Sequence, residues 1–171
     1  MTTEPEGFRE FVVARSPALL RTAWMLTGNA AAAEDLLQAA LARVWPHWRR
    51  IQDGRPEAYV RTVMVRTNAS WRARRWTGET PTADVPDTAG ARGGSDETRI
   101  DERLALLTAL SGLPLRQRQA VVLRYFDDLS VEAVAEIMGS SPGTVKSQSA
   151  KGLAKLRAAM GASDDERVEQ P

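Results

Sequence analysis

After Gly139 the chain runs Ser140-Ser141-Pro142-Gly143-Thr144-Val145-Lys146-Ser147-Gln148, and Lys151 follows within a turn. Hydroxyls, an amide and ammonium groups at this spacing gather near the start of one helix. That is chemistry for reading nucleic acid rather than for breaking bonds. A glutamine amide can pair bidentately with adenine, and a lysine can reach guanine or a phosphate. From Gly139 to Arg157 the charges are Lys146, Lys151, Lys155 and Arg157, with no acid among them. A solvated helix face would normally mix both signs, so an acid-free face fits a phosphate backbone.

The elements that must position these groups form a helix-turn-helix over Val131 to Ala150. Val131, Val134, Ala135 and Met138 belong to a short helix that Ser130 would cap. Gly139-Ser140-Ser141 is a turn, and Ser141 then caps a second helix with Pro142 at its first position. Ala135 must be small because the second helix crosses close by. Gly139 takes up the turn's awkward backbone, and Val145 is a buried anchor. The alternative is a helical hairpin inside a bundle. In a helix-turn-helix the second helix enters the major groove by its N-terminal end, which brings Thr144, Lys146, Ser147, Gln148 and Lys151 near DNA.

A second set of groups falls on a helix expected from Glu57 to Trp76. It carries Arg61, Arg66, Arg72, Arg74 and Arg75, together with Tyr59, Trp71 and Trp76. Arginines clamp phosphates, and exposed aromatics stack on unpaired bases. Tyr59, Val63 and Trp71 fit a core better than a base platform; the arginines are harder to assign to anything but a surface. Charge is segregated around them. Residues 43–76 hold nine Arg against two acids, and residues 77–103 hold seven acids against three Arg, although the whole chain is only +1.

Other chemistry is excluded or thin. The chain has no cysteine and one histidine, so disulfides, thiol nucleophiles and multi-histidine metal sites are out. His47, between Pro46 and Trp48, is read as structural. The glycine-to-lysine spacing after Gly139 is wrong for a phosphate loop. No run reaches the ~18 apolar residues of a membrane span, and Met1 to Phe11 lacks an apolar signal core. A cytoplasmic protein is expected.

The 171 residues allow one ordinary domain or two small ones, and the pattern favours two, all-α. Phe11, Val12, Arg15, Leu19, Ala23 and Leu26 roughly follow helical spacing, with Ser16-Pro17 as a break or a fresh start. Asn29 would cap the next helix, whose stripe is Leu37, Leu41, Val44, Trp45 and Trp48. Asp53-Gly54-Arg55-Pro56 is a loop leading into the arginine-rich helix. Gly78 to Ile100 holds Pro81, Pro86, Gly90, Gly93 and Gly94 and shows no apolar period, so a flexible linker with a reach of ~25 Å is expected. Leu104, Leu107 and Leu110 form one face, Leu113-Pro114 starts a helix carrying Val121 to Tyr125, and Asp127-Asp128 interrupts it. The last helix should end near Met160, with Gly152 costing it ~1 kcal/mol relative to Ala. The expected units are residues 5–77, a linker over 78–100, a second domain over 101–161 and an acidic tail over 162–171. The two halves should fold independently.

With these pieces in order, the chain resembles a group 4, or extracytoplasmic-function (ECF), sigma factor of the sigma-70 family. The resemblance rests on Ala33-Glu34-Asp35-Leu36-Leu37-Gln38 through Val44-Trp45, the arginine-rich helix, Leu113-Pro114 with Arg116-Gln117-Arg118, and Gly143-Thr144-Val145-Lys146-Ser147 through Lys155-Leu156-Arg157. It implies a region 2-like domain whose Asp35, Leu36, Gln38 and Arg43 dock on the polymerase clamp helices, while Arg61, Arg66, Arg72, Arg74 and Arg75 meet the minus-10 element. It implies a region 4-like domain whose helix-turn-helix reads the minus-35 element and whose surface meets the polymerase flap. The partners implied are core RNA polymerase, promoter DNA and, as a further candidate, an anti-sigma factor, with no cofactor, no metal, no membrane and no enzyme activity. The many Ala and Arg suggest an actinobacterial source.

Departures from the family pattern are Ala39 where relatives often have Glu, Arg66 where the minus-10 helix often has Asn, and Gln148-Ser149 where Arg-Leu is common. They leave the promoter sequence open. The rival reading is a stand-alone helix-turn-helix regulator, since LuxR-type proteins share a similar Thr-Val-Lys pattern. Those would need a receiver or ligand domain upstream, and the basic N-terminal half shows neither strands nor a pocket. A nucleic-acid enzyme would need clustered carboxylates, and Asp53 and Glu57 stand alone.

Overall fold

The structure is a computed structural model and describes residues 3–76 and 94–168. Among the described residues it is entirely helical, with no strand. Helix α1 spans Phe8–Thr27, α2 Ala30–Val44, the short α3 Trp48–Ile51 and α4 Pro56–Trp76. In the second half α5 spans Gly94–Ser111, α6 Leu115–Val121, α7 Val131–Met138 and α8 Pro142–Val168.

Local chemistry accounts for most helix ends. The Asn29 side chain accepts a hydrogen bond from the Ala32 N–H at 2.9 Å and starts α2. Pro56 opens α4, where a missing N–H is no loss. Ser130 and Ser141 cap α7 and α8, accepting from the N–H groups of Ala133 and Thr144 at 3.1 Å each. The break expected at Ser16-Pro17 does not occur: Pro17 lies inside a continuous α1. Pro17 is exposed, as is Val13 one turn earlier, whose carbonyl loses its helical partner, while Leu19, Ala23 and Leu26 hold the helix to the core.

Two cores result. In the first, Leu19, Ala33, Leu36, Ala40, Val44, Val60 and Met64 are completely buried, and Phe8 packs edge-on against Trp45 and Trp48 at 4.9 and 5.2 Å between ring centroids. The stripe expected on α2 faces this core. The second core gathers Leu110, Val121 to Leu123, Val134, Val145 and Leu156, and it also takes in Met25, Leu26 and Val65 from α1 and α4. The halves therefore pack against one another.

Two boundaries differ from expectation. The region expected as linker over 78–100 becomes helical at Gly94, because Ile100 continues the Leu104–Leu107 face back by a turn; its residues 78–93 lie outside the described residues. Helix α8 runs to Val168, past the expected stop near Met160 and into the stretch expected as an acidic tail. Gly152 also has a use that propensity alone misses. A Cβ there would sit 2.6 Å from Val121 Cγ2 and 3.0 Å from the Gln117 carbonyl oxygen. The glycine lets α8 cross α6 closely, and its helical cost is offset by that packing.

Candidate nucleic-acid interface

The turn between α7 and α8 is built as its residue types dictate. Gly139 has φ 63°, the left-handed region, and its N–H closes α7 onto the Glu136 carbonyl at 3.3 Å. The Ser140 N–H reaches the Ala135 carbonyl at 3.0 Å, which turns the chain sharply. Val145 is fully buried and Ala135 nearly so. This anchoring leaves Thr144, Lys146, Ser147 and Lys151 exposed and Gln148 half-exposed along α8. Ser149, one of the departures, turns inward and donates to the Val145 carbonyl at 2.7 Å. The five positions singled out for base and phosphate contact therefore share one accessible stretch of helix.

The arginines of α4 are not arranged so simply. Arg66, Arg72, Arg74 and Arg75 are exposed. At about 100° per residue Arg66 stands about 140° round the helix from Arg61, so the set wraps the helix instead of forming one strip. Arg61 itself is buried. It pairs with Glu57 at 3.0 Å and, across the two halves, with Asp127 at 3.2 Å. The expected exposure of Arg61 to DNA does not hold in this arrangement, because a buried carboxylate from the second half occupies its guanidinium. Tyr59 and Trp71 pack against the first core, as a structural role requires.

On α2, Asp35 and Gln38 point to solvent. Leu36 does not: it is completely buried in the first core, so its expected contact with a partner is corrected to a packing role. It lies in an i, i+4, i+8 row with Ala40 and Val44, both completely buried, which widens the apolar face beyond the expected stripe. Arg43 is exposed, but its guanidinium donates to the buried Thr67 hydroxyl at 3.0 Å, tying α2 to α4.

The residues missed in the sequence lie where the halves meet. Asp127 accepts from the Thr22 hydroxyl at 2.7 Å as well as from Arg61. Burial pushes its carboxyl above the ordinary carboxylate range, and the bonds from Thr22 and Arg61 only partly oppose this. Arg118 donates to the Met25 carbonyl at 2.6 Å. Burial, with Arg72 nearby, brings its guanidinium down to about 10. Gln119 is fully buried and its amide approaches the Val65 carbonyl at 3.4 Å. The one available signal was polar residues, Gln117 to Gln119, set directly before an apolar run.

Comparison with known proteins places this geometry. Residues 11–77 match the family model for sigma-70 region 2, and residues 103–156 match that for sigma-70 region 4. The chain is 40% identical over 158 residues to the RNA polymerase sigma-E factor of Streptomyces coelicolor, covering 92% of this chain and 88% of that protein. It is 32% identical over 137 residues to the ECF RNA polymerase sigma factor SigL of Mycobacterium tuberculosis, covering 76% and 75%. Among solved structures, the sigma factor RpoE in complex with the anti-sigma factor NepR from Bartonella quintana is similar at a TM-score of 0.72 and 22% identity, covering 92% of this chain and 98% of that one. CnrH in complex with the cytosolic domain of CnrY follows at 0.61 and 18%, covering 91% and 88%. At these identities the structural likeness speaks for the fold.

Proposed function

The chain belongs to the sigma-70 family, in its extracytoplasmic-function group, and from that premise we propose how its parts divide the work of starting transcription. It is an RNA polymerase sigma factor: it binds core RNA polymerase and directs promoter recognition, DNA melting and initiation. A stand-alone regulator is not favoured, because the first half matches region 2 across residues 11–77.

In our reading the start of α8 lies in the major groove of the minus-35 element, with Gln148 on a base edge and Lys146 and Lys151 on phosphates. Thr144 and Ser147 supply further hydrogen bonds. Arg66, Arg72, Arg74 and Arg75 meet the minus-10 region, and Arg61 joins them only when its pairing with Asp127 is released. Asp35, Gln38 and Arg43 form the docking face for the clamp helices, and the second half meets the flap. The chain supplies recognition and the polymerase supplies the chemistry. Both solved relatives are held by protein partners, RpoE by an anti-sigma factor, which supports a regulator of that kind here. No helix among the described residues is long and apolar enough to cross a membrane, in keeping with action in the cytoplasm.

The observation that carries this reading is the helix-turn-helix whose second helix buries Val145 and exposes an acid-free row of donors. The test is reconstitution. The purified chain mixed with core polymerase should direct defined transcript starts on a promoter library, and core alone should not. Binding to upstream DNA without any core-dependent start would instead favour the stand-alone regulator.

A further inference from the structure

Three side chains fix the rotation of α8, and that rotation decides which of its residues can meet a base. Val145 is completely buried, and Ser149 and Leu156 are 4% and 6% exposed. At about 100° per residue, Ser147 stands roughly 160–180° round the helix from all three. It is exposed, and so is Ala150, about 60° to one side of it. Charge lies on both flanks of this centre. Lys146 and Arg157 fall about 80–100° to one side, and Lys151 and Lys155 about 40–80° to the other. All four are exposed. Paired cationic flanks match a major groove, which has a phosphate strand along each wall. The uncharged centre between them is left for the base edges.

Its chemistry limits what it can read. A serine hydroxyl donates or accepts, so Ser147 can bond many base edges and by itself selects none. Ala150 offers only a methyl group. Among the four bases, thymine alone presents an apolar group in the major groove, its C5 methyl. Gln148 is half-exposed about 100° round from Ser147, and it works from the flank with a longer arm.

We propose that Ala150 is a specificity-determining residue for the upstream promoter element: its Cβ packs on the C5 methyl of one thymine, while Ser147 bonds a neighbouring base edge. This rests on the reading of α8 as the groove-bound helix of a sigma factor, and it names what that helix selects. Three residues apart on one helix face, the two side chains lie about 5–6 Å from each other at Cβ. Bases rise about 3.4 Å per step along a strand, so the pair covers one to two steps. A larger group at position 150 would hold the backbone away from the bases. Contact with one methyl is worth roughly fourfold in affinity. It displaces no counterion, so its effect keeps its size as salt is raised.

The test removes the methyl from the DNA and its partner from the protein. The full-length chain with core polymerase is measured on the promoter it selects from a library. Each thymine of the upstream element, on either strand, is replaced in turn by deoxyuridine, which lacks only the methyl. One position should lose about fourfold in binding, equally at two salt concentrations. Ala150→Gly should bind thymine and deoxyuridine alike at that position. Glycine also weakens a helix, so Ala150→Ser is the second variant. It keeps the helix, sets a hydroxyl against the methyl and should abolish the preference too. A preference unchanged in both variants overturns the assignment to Ala150. So does an upstream element in which no thymine methyl matters, or a methyl effect that fades as salt rises. If the unaltered chain gives no core-dependent starts, the sigma reading falls and this assignment with it. Defined starts that ignore the methyl sink this assignment alone.

Discussion

Helix α8 and helix α4 both present basic residues, yet they came to differ in kind. On α8 every charged residue singled out is exposed, because the anchor Val145, the cap Ser141 and the close crossing with α6 at Gly152 orient the helix from within its own half. On α4 the same expectation fails at Arg61, which turns to a carboxylate 66 residues away in sequence. A helix oriented by local contacts keeps its surface in any context. A helix lying between two packed bodies has a surface that depends on which of them is in place.

That contrast is sharpest where burial decides a role. Leu36→Ala should destabilise the first half by about 2–5 kcal/mol, as core leucines do. Asp35→Ala with Gln38→Ala should leave thermal unfolding nearly unchanged and weaken core-polymerase binding. Parallel melting curves and a binding titration check both. A mild Leu36→Ala would mean that α2 is oriented differently.

On the α8 side, Gly152→Ala should cost about 1–3 kcal/mol through overpacking, the opposite of what helix propensity alone would give. Urea unfolding measures the sign. A stabilised variant would show that α6 and α8 do not approach as closely as the Cβ distance to Val121 requires.

The division of labour within α8 comes next in size. Gln148→Ala should cost ~1–3 kcal/mol and relax preference at one upstream base pair. Lys151→Ala should weaken all sequences alike and lower the salt slope by roughly one unit. Binding across a library of upstream variants at two salt concentrations separates them. An even loss for Gln148→Ala removes its base-reading role.

The smallest effect expected is on pH. The Asp127 carboxyl is raised in the folded chain, mainly by burial, and would return to its ordinary range on unfolding. The groups facing it are Thr22 and Arg21 from α1 and Arg61, with its partner Glu57, from α4. A raised carboxyl binds its proton more tightly in the folded state. Its contribution to stability is therefore fully present below the ordinary value and lost as pH rises through the raised one. Thermal unfolding followed against pH should show the native chain gaining stability relative to Asp127→Asn as pH falls from neutrality, and equal pH dependence in the two would remove this role.

Much of this molecule was legible in residue order. Asn29, Ser130 and Ser141 as caps, Pro56 and Pro142 as first helical residues, Gly139 as the turn and the α2 stripe each act within a few positions, so their signals are local. The exposure of Asp35, Gln38 and Arg43 on α2 and of Thr144, Lys146, Ser147 and Lys151 on α8 was legible for the same reason, whereas Leu36, spaced with the buried Ala40 and Val44, serves the interior. What the residue order alone determined was therefore the helices, the helix-turn-helix and the basic rows. Only the tertiary structure decided that Pro17 can stay within a helix, that Gly152 is needed, and that Asp127, Thr22, Arg118 and Gln119 join the halves while taking Arg61 out of solvent. Those outcomes depend on which surfaces meet. A charge found next to an apolar run carries no mark of whether water or a distant arginine will satisfy it.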